Sequence, residues 1–368
     1  MVQGRRVRLL VAAAAAGVAV VAGGRAFLAG TAPAHVDRAR PLPSAAASAA
    51  AGTPTPAPPA APPAVSPGHD ALVAVAVATV WNAPDQARPV DAPSLTNPVD
   101  VRRWTSTMTN DEKLWLVDKL ATQVLYGERV TVRDVRGDWA SVVVPDQPSS
   151  QDAAGYPGWL PVAQLTGVSA ADTGRSAVVI RPTASLRERA APAHELLELS
   201  YDTRLPVLAA DATLVTVATP TAGGSAVVAA ADVDVQAPGP RPTTGGDIVR
   251  SAQLFSGLPY LWAGTSAAGF DCSGFTAAVY GAHGIVLPRD ADDQALKGTP
   301  VDRAHLQPGD LLFYAYDGGK GAIHHVSIYV GNGMMIQSPA TGKTVETVPV
   351  DTPSLAPQFW GARRYLAA

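Results

Sequence analysis

Cysteine is almost absent from this chain, which has one Cys, Cys272, in 368 residues. A single cysteine cannot form an internal disulfide, so a fold held together by disulfides is excluded. A free cysteine is usually a buried structural residue, but a lone thiol in an exported chain can also be a reactive group. The residues around Cys272 must decide between these two alternatives.

An excess of charge of one sign is also missing. The formal net charge is -3, with 28 Lys and Arg against 31 Asp and Glu. This balance gives no polybasic surface, so nucleic acid is not expected as a partner. The apolar fraction of 47% is sufficient for packed cores, and the length suggests two or three domains.

The chain has no apolar run long enough for a comfortable membrane span near its start. Three arginines precede an apolar stretch from Leu9 to Ala22, and Ala32-Pro33-Ala34 resembles a cleavage site. Residues 1–34 are therefore predicted to be an export signal, with an uncleaved N-terminal anchor as the alternative. Either way, the protein is expected to be secreted or extracytoplasmic, in the envelope or cell wall, and to meet a membrane only through this segment.

Four further segments follow. Residues 35–69 are rich in Ala and Pro and are predicted to be an extended linker. Residues 70–168 and 174–237 each contain short β-like runs separated by turn signals, which predicts two small all-β barrels. In residues 243–368, helical patterns are followed by consecutive strands, which indicates an α+β domain.

The neighbours of Cys272 favour a reactive thiol. Asp271 is predicted to cap a helix that carries Cys272 in its first turn. The positive end of the helix dipole favours thiolate over thiol, and thiols in such positions can have a pKa lowered to ~3.5–7.5. We therefore expect Cys272 to be an activated nucleophile.

A histidine on a later strand is the candidate base. Alternation along the strand places His325 on a polar face, whereas His324 points to the opposite side. With a three-residue turn over residues 331–333, Val330 pairs with Met334, and Gln337 lies on the His325 face. Its amide oxygen could then fix the imidazole tautomer, but a two-residue turn would move Gln337 to the other face.

Together these motifs resemble the NlpC family of papain-like cysteine peptidases, which cut bacterial cell-wall peptides. The matching stretches are Pro259-Tyr260-Leu261-Trp262-Ala263-Gly264, Gly269-Phe270-Asp271-Cys272-Ser273-Gly274-Phe275, Leu287-Pro288-Arg289, Gln294, Leu306-Gln307-Pro308-Gly309-Asp310-Leu311, residues 325–333 and Met335-Ile336-Gln337-Ser338. The resemblance implies that Cys272 is the nucleophile, His325 the base and Gln337 the orienting residue. Many relatives have histidine in the third place.

The upstream part resembles a subgroup with two bacterial SH3-like domains before the peptidase, although the second domain lacks the usual tryptophan. This resemblance implies hydrolysis of γ-D-glutamyl–diamino acid bonds in murein peptides with a free N-terminal L-Ala. It implies that Asp290 binds that amine, that Tyr260 and Ser273 line the peptide site and that Tyr156 covers it. An acidic surface turn is the alternative reading of Asp290.

Two other functions remain open at this point. One is a general endopeptidase that acts on intact wall, so that peptidoglycan itself would be a partner. The other is an inactive wall-binding module, which the complete set of Cys272, His325 and Gln337 disfavours. No metal and no cofactor are expected. The sequence does not distinguish diaminopimelate from lysine in the substrate.

Overall fold

The computed structural model describes residues 64–167, 171, 173–221, 224–238 and 241–367. The predicted export segment, residues 1–34, and the predicted linker up to residue 63 lie outside the described residues. In the described part of the chain, no helix is long and apolar enough to cross a membrane. The predicted order of two all-β units and an α+β unit is confirmed, and the predicted domain limits stay predictions.

The first all-β unit is a seven-stranded antiparallel sheet that we call the first barrel. Its strands are Asp70–Val73 (β1), Val77–Trp81 (β2), Leu120–Leu125 (β3), Arg129–Arg136 (β4), Trp139–Val144 (β5), Tyr156–Pro161 (β6) and Leu165–Thr166 (β7), in the order β3-β2-β6-β5-β4-β1-β7. Valines that alternate along these strands fill its core.

Two short helices, Val101–Thr107 (α1) and Asn110–Trp115 (α2), are inserted between β2 and β3, after a 3-10 turn at Pro89–Ser94. A capping box starts α2, because the Thr109 side chain accepts from Glu112 N and the Glu112 carboxylate accepts from Thr109 N. The chain leaves the helical conformation soon after α2, since Asp118 adopts a φ of 60° and Leu120 begins β3.

The second all-β unit, the second barrel, repeats the seven-stranded arrangement. Its strands are Ser176–Val179 (β8), Thr183–Glu188 (β9), Glu195–Ser200 (β10), Arg204–Ala210 (β11), Leu214–Ala218 (β12), Ser225–Ala229 (β13) and Val233–Gln236 (β14), in the order β10-β9-β13-β12-β11-β8-β14. Its separate core includes Leu186, Val217 and Ala226, all fully buried.

The α+β unit packs helices against a six-stranded antiparallel sheet. The helices are Gly245–Gln253 (α3), Cys272–Gly281 (α4), Ala291–Ala295 (α5) and the four-residue turn Tyr316–Gly319 (α6). A two-stranded ribbon, Thr265–Ser266 (β15) and Gly269–Phe270 (β16), precedes α4. The sheet strands are Thr299–Val301 (β17), Leu311–Ala315 (β18), Ile323–Gly331 (β19), Met334–Gln337 (β20), Glu346–Pro349 (β21) and Phe359–Arg364 (β22), in the order β17-β22-β18-β19-β20-β21.

The hairpin between β19 and β20 differs from its predicted form. Gly331, not Val330, pairs with Met334, and the connecting turn has two residues, Asn332 and Gly333, both with positive φ. A bulge at Val330 takes up the extra residue, so that the pairing returns to the predicted register at Tyr329 with Met335. The predicted three-residue turn is therefore wrong, but the bulge preserves its consequence for Gln337.

The second barrel holds the C-terminal end of α4. Arg204 donates to the Gly281 carbonyl, and the buried Gln236 amide donates to the Ala282 carbonyl at 2.8 Å. These side chains satisfy carbonyls that a helix end leaves without partners. Tyr201 of the same barrel packs edge-on against Phe255, with ring centroids 5.0 Å apart. The interface is thus a continuation of the α+β core.

Candidate active site

Cys272 begins helix α4, as the sequence predicts. The Asp271 side chain caps the helix by accepting from Gly274 N at 2.6 Å. The Cys272 sulfur is half-buried, and the backbone N–H groups of Val326 and Ser273 favour a negative charge on it. Gly274 is required for this close packing, because a Cβ there would lie 2.1 Å from the Gly264 carbonyl oxygen.

The expected lowering of the Cys272 pKa is wrong. Burial raises the pKa of the thiol to about 12, and the adjacent Asp271 carboxylate adds to the rise. The N–H groups of Val326 and Ser273 and the charge of Arg289 oppose this shift without reversing it. The resting group is a neutral thiol, so the thiolate has to be formed by proton transfer to a nearby base.

His325 and Gln337 meet as predicted from the strand register. His325 Nε2 lies 2.7 Å from Gln337 Oε1, and both side chains are buried. Gln337 Nε2 in turn donates to Glu346 Oε1 at 3.0 Å. Because a carboxylate only accepts, Glu346 fixes the amide with its oxygen toward the histidine. His325 must then carry its proton on Nε2, which leaves Nδ1 as a free acceptor.

Glu346 was missed by the sequence reasoning. It lies on β21, directly across from Gln337 in the sheet. A glutamine in place of the more common histidine was the available signal, because an amide needs a second partner to fix its orientation.

The surroundings of His325 keep its imidazole neutral. Burial lowers the pKa of His325 to about 4, the Gln337 bond raises it, and His324 lowers it slightly. The prediction that His324 points to the opposite side is wrong. The pairing of β18 with β19 shifts between Tyr314 and Ala315, and the two histidine rings lie 6.5 Å apart at 24°.

Asp290 and Tyr156 are brought together across the domain boundary. The Tyr156 hydroxyl donates to Asp290 Oδ2 at 2.9 Å, and Gln151 Nε2 donates to the Tyr156 oxygen at 2.9 Å and to Asp290 Oδ2 at 3.3 Å. Burial raises the pKa of Asp290, while Arg289 and the Tyr156 bond lower it. Asp290 is therefore no open surface turn, and no ion pair of Asp290 occurs among the described residues.

Ser273 and Tyr260 lie beside the thiol. The Ser273 hydroxyl accepts from Arg289 Nη1 at 3.0 Å and lies 3.4 Å from Asp271 Oδ1. Tyr260 is buried, and the negative charges that Cys272 and Asp271 can carry help to raise its pKa. That the two residues line the peptide site stays a prediction, and the Ser273 hydroxyl is already bound within the protein.

Arg289 is the other residue whose role the sequence reasoning missed. Its guanidinium is 2% exposed and pairs with Asp271 Oδ2 at 2.7 Å. It lies in the matched Leu287-Pro288-Arg289 stretch, but that pattern gave no sign of a buried charge. A buried arginine needs such a carboxylate partner.

The acidic groups of α5 could hold a cation. Carboxylate oxygens of Asp290, Asp292 and Asp293 lie within 4.8 Å of one another. Asp293 however accepts from Ser150 N at 2.7 Å, and Asp290 is bound by Tyr156. The prediction of no metal stays a prediction.

Comparison with known proteins follows the same division of the chain. Residues 257–364 match the model of the NlpC/P60 family, and residues 179–235 match that of the YKFC SH3b2 domain. The chain is 46% identical over 302 residues to the gamma-D-glutamyl-L-lysine dipeptidyl-peptidase of Bacillus cereus, covering 80% of this chain and 91% of that protein. The Bacillus subtilis protein of the same name is 41% identical over 292 residues, covering 78% and 96%.

A solved structure extends this similarity to three dimensions. The crystal structure of an NlpC/P60 family protein from Bacillus cereus superposes with a TM-score of 0.76 at 44% identity. The match covers 81% of this chain and all of that one. The similarity therefore includes both barrels as well as the α+β unit.

Proposed function

Because the chain belongs to the NlpC/P60 family of cysteine peptidases, we propose that it hydrolyses the γ-D-glutamyl–diamino acid bond of murein peptides with a free N-terminal L-Ala. The names of the two Bacillus relatives support this bond, with L-lysine as the diamino acid. Diaminopimelate is the other diamino acid to be tested.

The proposed chemistry uses a neutral thiol and a neutral imidazole. His325 Nδ1 takes the Cys272 proton as sulfur attacks the γ-carbonyl carbon. The C–N bond then breaks, the imidazolium returns the proton to the leaving amine, and a thioester remains. Water then attacks the thioester with His325 again as the base, the C–S bond breaks, the imidazolium returns the proton to the Cys272 sulfur, and the γ-glutamyl carboxylic acid is released. Gln337 holds the imidazole in the required tautomer throughout.

The observation that carries the specificity is the environment of Asp290. Among the described residues, its carboxylate accepts side-chain hydrogen bonds from the neutral donors Tyr156 and Gln151 alone, and burial disfavours its charge. A substrate ammonium would restore an ion pair in this pocket with a charge-assisted hydrogen bond. An acetylated or glycan-linked peptide brings no charge and would leave the carboxylate buried without a counterion.

The test compares L-Ala-γ-D-Glu-L-Lys and L-Ala-γ-D-Glu-diaminopimelate with and without an acetylated N-terminus. We expect kcat/KM to be about 10- to 100-fold higher for the free amine, the size of one hydrogen bond to a charged group. In Asp290→Asn, which keeps the shape and removes the charge, this advantage should narrow. Equal cleavage of both peptides would contradict the specificity, and release of peptides from intact wall would favour a general endopeptidase.

An inactive wall-binding module is tested separately. A purified protein that binds peptidoglycan but cleaves none of the four peptides would support it. We also propose that the protein acts outside the cytoplasm, on the basis of residues 1–34. Fractionation of cells into cytoplasm, envelope and medium checks this, and an entirely cytoplasmic protein would contradict it.

A further inference from the structure

One buried cation joins the first barrel to the helix that carries Cys272. Arg289 Nε donates to Thr122 Oγ1 on β3 at 2.9 Å. Through Nη1 and Nη2 the same guanidinium contacts Ser273 and Asp271, at 3.0 and 2.7 Å. All of its nitrogens are therefore bound, one of them by the barrel.

Thr122 is fixed as an acceptor. Its hydroxyl donates to Gln147 Oε1 at 2.6 Å, and Gln147 Nε2 donates to the Gln123 carbonyl at 2.8 Å. A hydroxyl has one proton, so the lone pairs of Thr122 are left for Arg289. The Arg289 backbone N–H also donates to the Pro148 carbonyl of the same barrel at 2.9 Å. Side chain and backbone of Arg289 are thus both held by the barrel.

The position of this cation matters for the thiol. Asp271, at the N-cap, disfavours a negative charge on Cys272, and Arg289 favours it. Among the described residues, the Tyr260 hydroxyl and the Val326 N–H also act on the sulfur, and His325 is next to Val326 on β19. A guanidinium that moves away from Asp271 would leave the carboxylate unbalanced beside the nucleophile.

We propose that Thr122 is a positioning residue for the nucleophile: it holds Arg289 against Asp271 and so sets the electrostatic balance at Cys272. The first barrel then supports bond cleavage itself as well as substrate selection. The inference rests on Cys272 being the nucleophile of the proposed function. No described hydrogen bond joins Thr122 to Cys272, so Thr122 acts on the thiol through Arg289.

The single cysteine provides a direct test without substrate. Iodoacetamide can alkylate only Cys272, and the pH dependence of its rate reports the thiolate fraction. In Thr122→Val, which keeps the shape and removes the acceptor, we expect alkylation about three- to tenfold slower at neutral pH, with the profile displaced to higher pH. The kcat for the free peptide should fall about tenfold. Thr122→Ser restores the hydroxyl and should restore both quantities.

The matched control is Thr131→Val on β4, whose hydroxyl contacts Asp70 at the barrel edge. It removes a hydroxyl from the same barrel and should leave the alkylation profile unchanged. A Thr122→Val protein that is less stable but alkylates as the wild type does would overturn the inference. So would a shift of equal size in Thr131→Val. If the shift occurs while no murein peptide is cleaved, the proposed function fails, and the effect of Thr122 on the charge of the Cys272 thiol is retained without a role in cleavage of these peptides.

Discussion

The two barrels hold opposite ends of the same helix in different ways. The first barrel reaches the N-terminal end of α4 through a polar contact from Thr122 to Arg289, and the start of α5 through another from Tyr156 to Asp290. The second barrel packs against the C-terminal end, where Tyr201 joins the apolar core and Gln236 caps a carbonyl. We therefore propose different purposes for two domains of similar topology: one shapes chemistry and specificity, and the other supports the helix.

The charges at the two ends follow the helix dipole. Asp271 caps the N-terminus, and Arg204 of the second barrel contacts the Gly281 carbonyl at the C-terminus. Arg289 reverses this pattern, because a cation at an N-terminus opposes the dipole. Its place there is explained by the Asp271 carboxylate with which it pairs. Among the contacts that the two barrels make near α4, the contact with Arg289 should therefore affect activity most.

The largest effect should come from Cys272, at the N-terminal end of α4. Cys272→Ala should abolish hydrolysis and leave folding intact, because the chain has no other cysteine. Circular dichroism checks the fold, and peptide cleavage checks the activity. Residual cleavage near the wild-type rate would remove the thiol from the mechanism and, with it, the contrast between the barrels.

The next largest effect should come from His325, Gln337 and Glu346, which lie on strands β19 to β21. No described hydrogen bond joins either barrel to these three side chains. His325→Ala should reduce kcat by ~10²–10⁴-fold, the usual contribution of general acid–base catalysis. Gln337→Ala should be milder, since Gln337 only holds the base. Glu346→Gln should be milder still, because a second amide can present either atom to Gln337 and weakens the fixed orientation. An equal loss of kcat in all three variants would mean that Gln337 and Glu346 do more than orient His325.

A smaller effect is expected from the first barrel at the amine site. Tyr156→Phe removes the hydroxyl that donates to Asp290 but keeps the ring in the barrel core. We expect the preference for free over acetylated peptide to change about five- to tenfold, as for the loss of one charge-assisted bond. The ratio of the two kcat/KM values measures this. An unchanged ratio would separate the first barrel from specificity.

A substitution in the second barrel should change the stability of the protein and leave its activity unchanged. Gln236→Leu leaves the Ala282 carbonyl without its buried donor, which should lower the free energy of unfolding by about 1–3 kcal/mol. The kcat/KM of the folded protein and its preference for a free amine should stay as in the wild type. Urea unfolding and peptide cleavage test the two parts. Altered specificity in this variant would break the contrast between the barrels.

The smallest effect lies where both barrels meet, at a cavity of about 510 Å³ lined by Glu128, Asp202 and Arg204. Burial raises the pKa of Glu128 from 4.5 to about 8 and that of Asp202 to about 6. At these pH values the folded protein therefore binds more protons than the unfolded chain. The contribution of Glu128 to stability is lost as pH rises from about 4.5 through 8.

Glu128→Gln imitates the protonated form. The decline in unfolding free energy between pH 5 and pH 9 should be smaller in this variant, because the amide does not titrate. Urea unfolding at several pH values measures the difference. A steeper decline in Glu128→Gln than in the wild type would contradict the raised pKa.

Local patterns predicted much of the α+β unit and of the site. The Asp271 cap, the strand at His325 and the partnership with Gln337 all depend on neighbours close in sequence or on simple alternation. The edge strands were missed: Thr299–Val301 and Glu346–Pro349 are short and partly exposed, so they lack a clear period. Their pairing is decided by the sheet they join.

Contacts between domains could not be predicted from the sequence. Thr122 and Arg289 are 167 residues apart, and neither residue type signals a buried bond by itself. The prediction for the Cys272 pKa was wrong for a related reason, because the helix dipole is a local feature, whereas burial in the folded protein is not. Quantities set by tertiary burial are therefore beyond pattern analysis.

The bulge at Val330 restricts how the hairpin can change in length. His325 and Gln337 are twelve positions apart, and their side chains meet because one residue of that count is absorbed by the bulge. A one-residue insertion or deletion near the turn would have to be matched by the gain or loss of a bulge. We therefore expect an insertion or deletion here to be tolerated only together with a second change that restores the pairing of His325 with Gln337. Substitutions in the turn should be tolerated more readily than changes in its length.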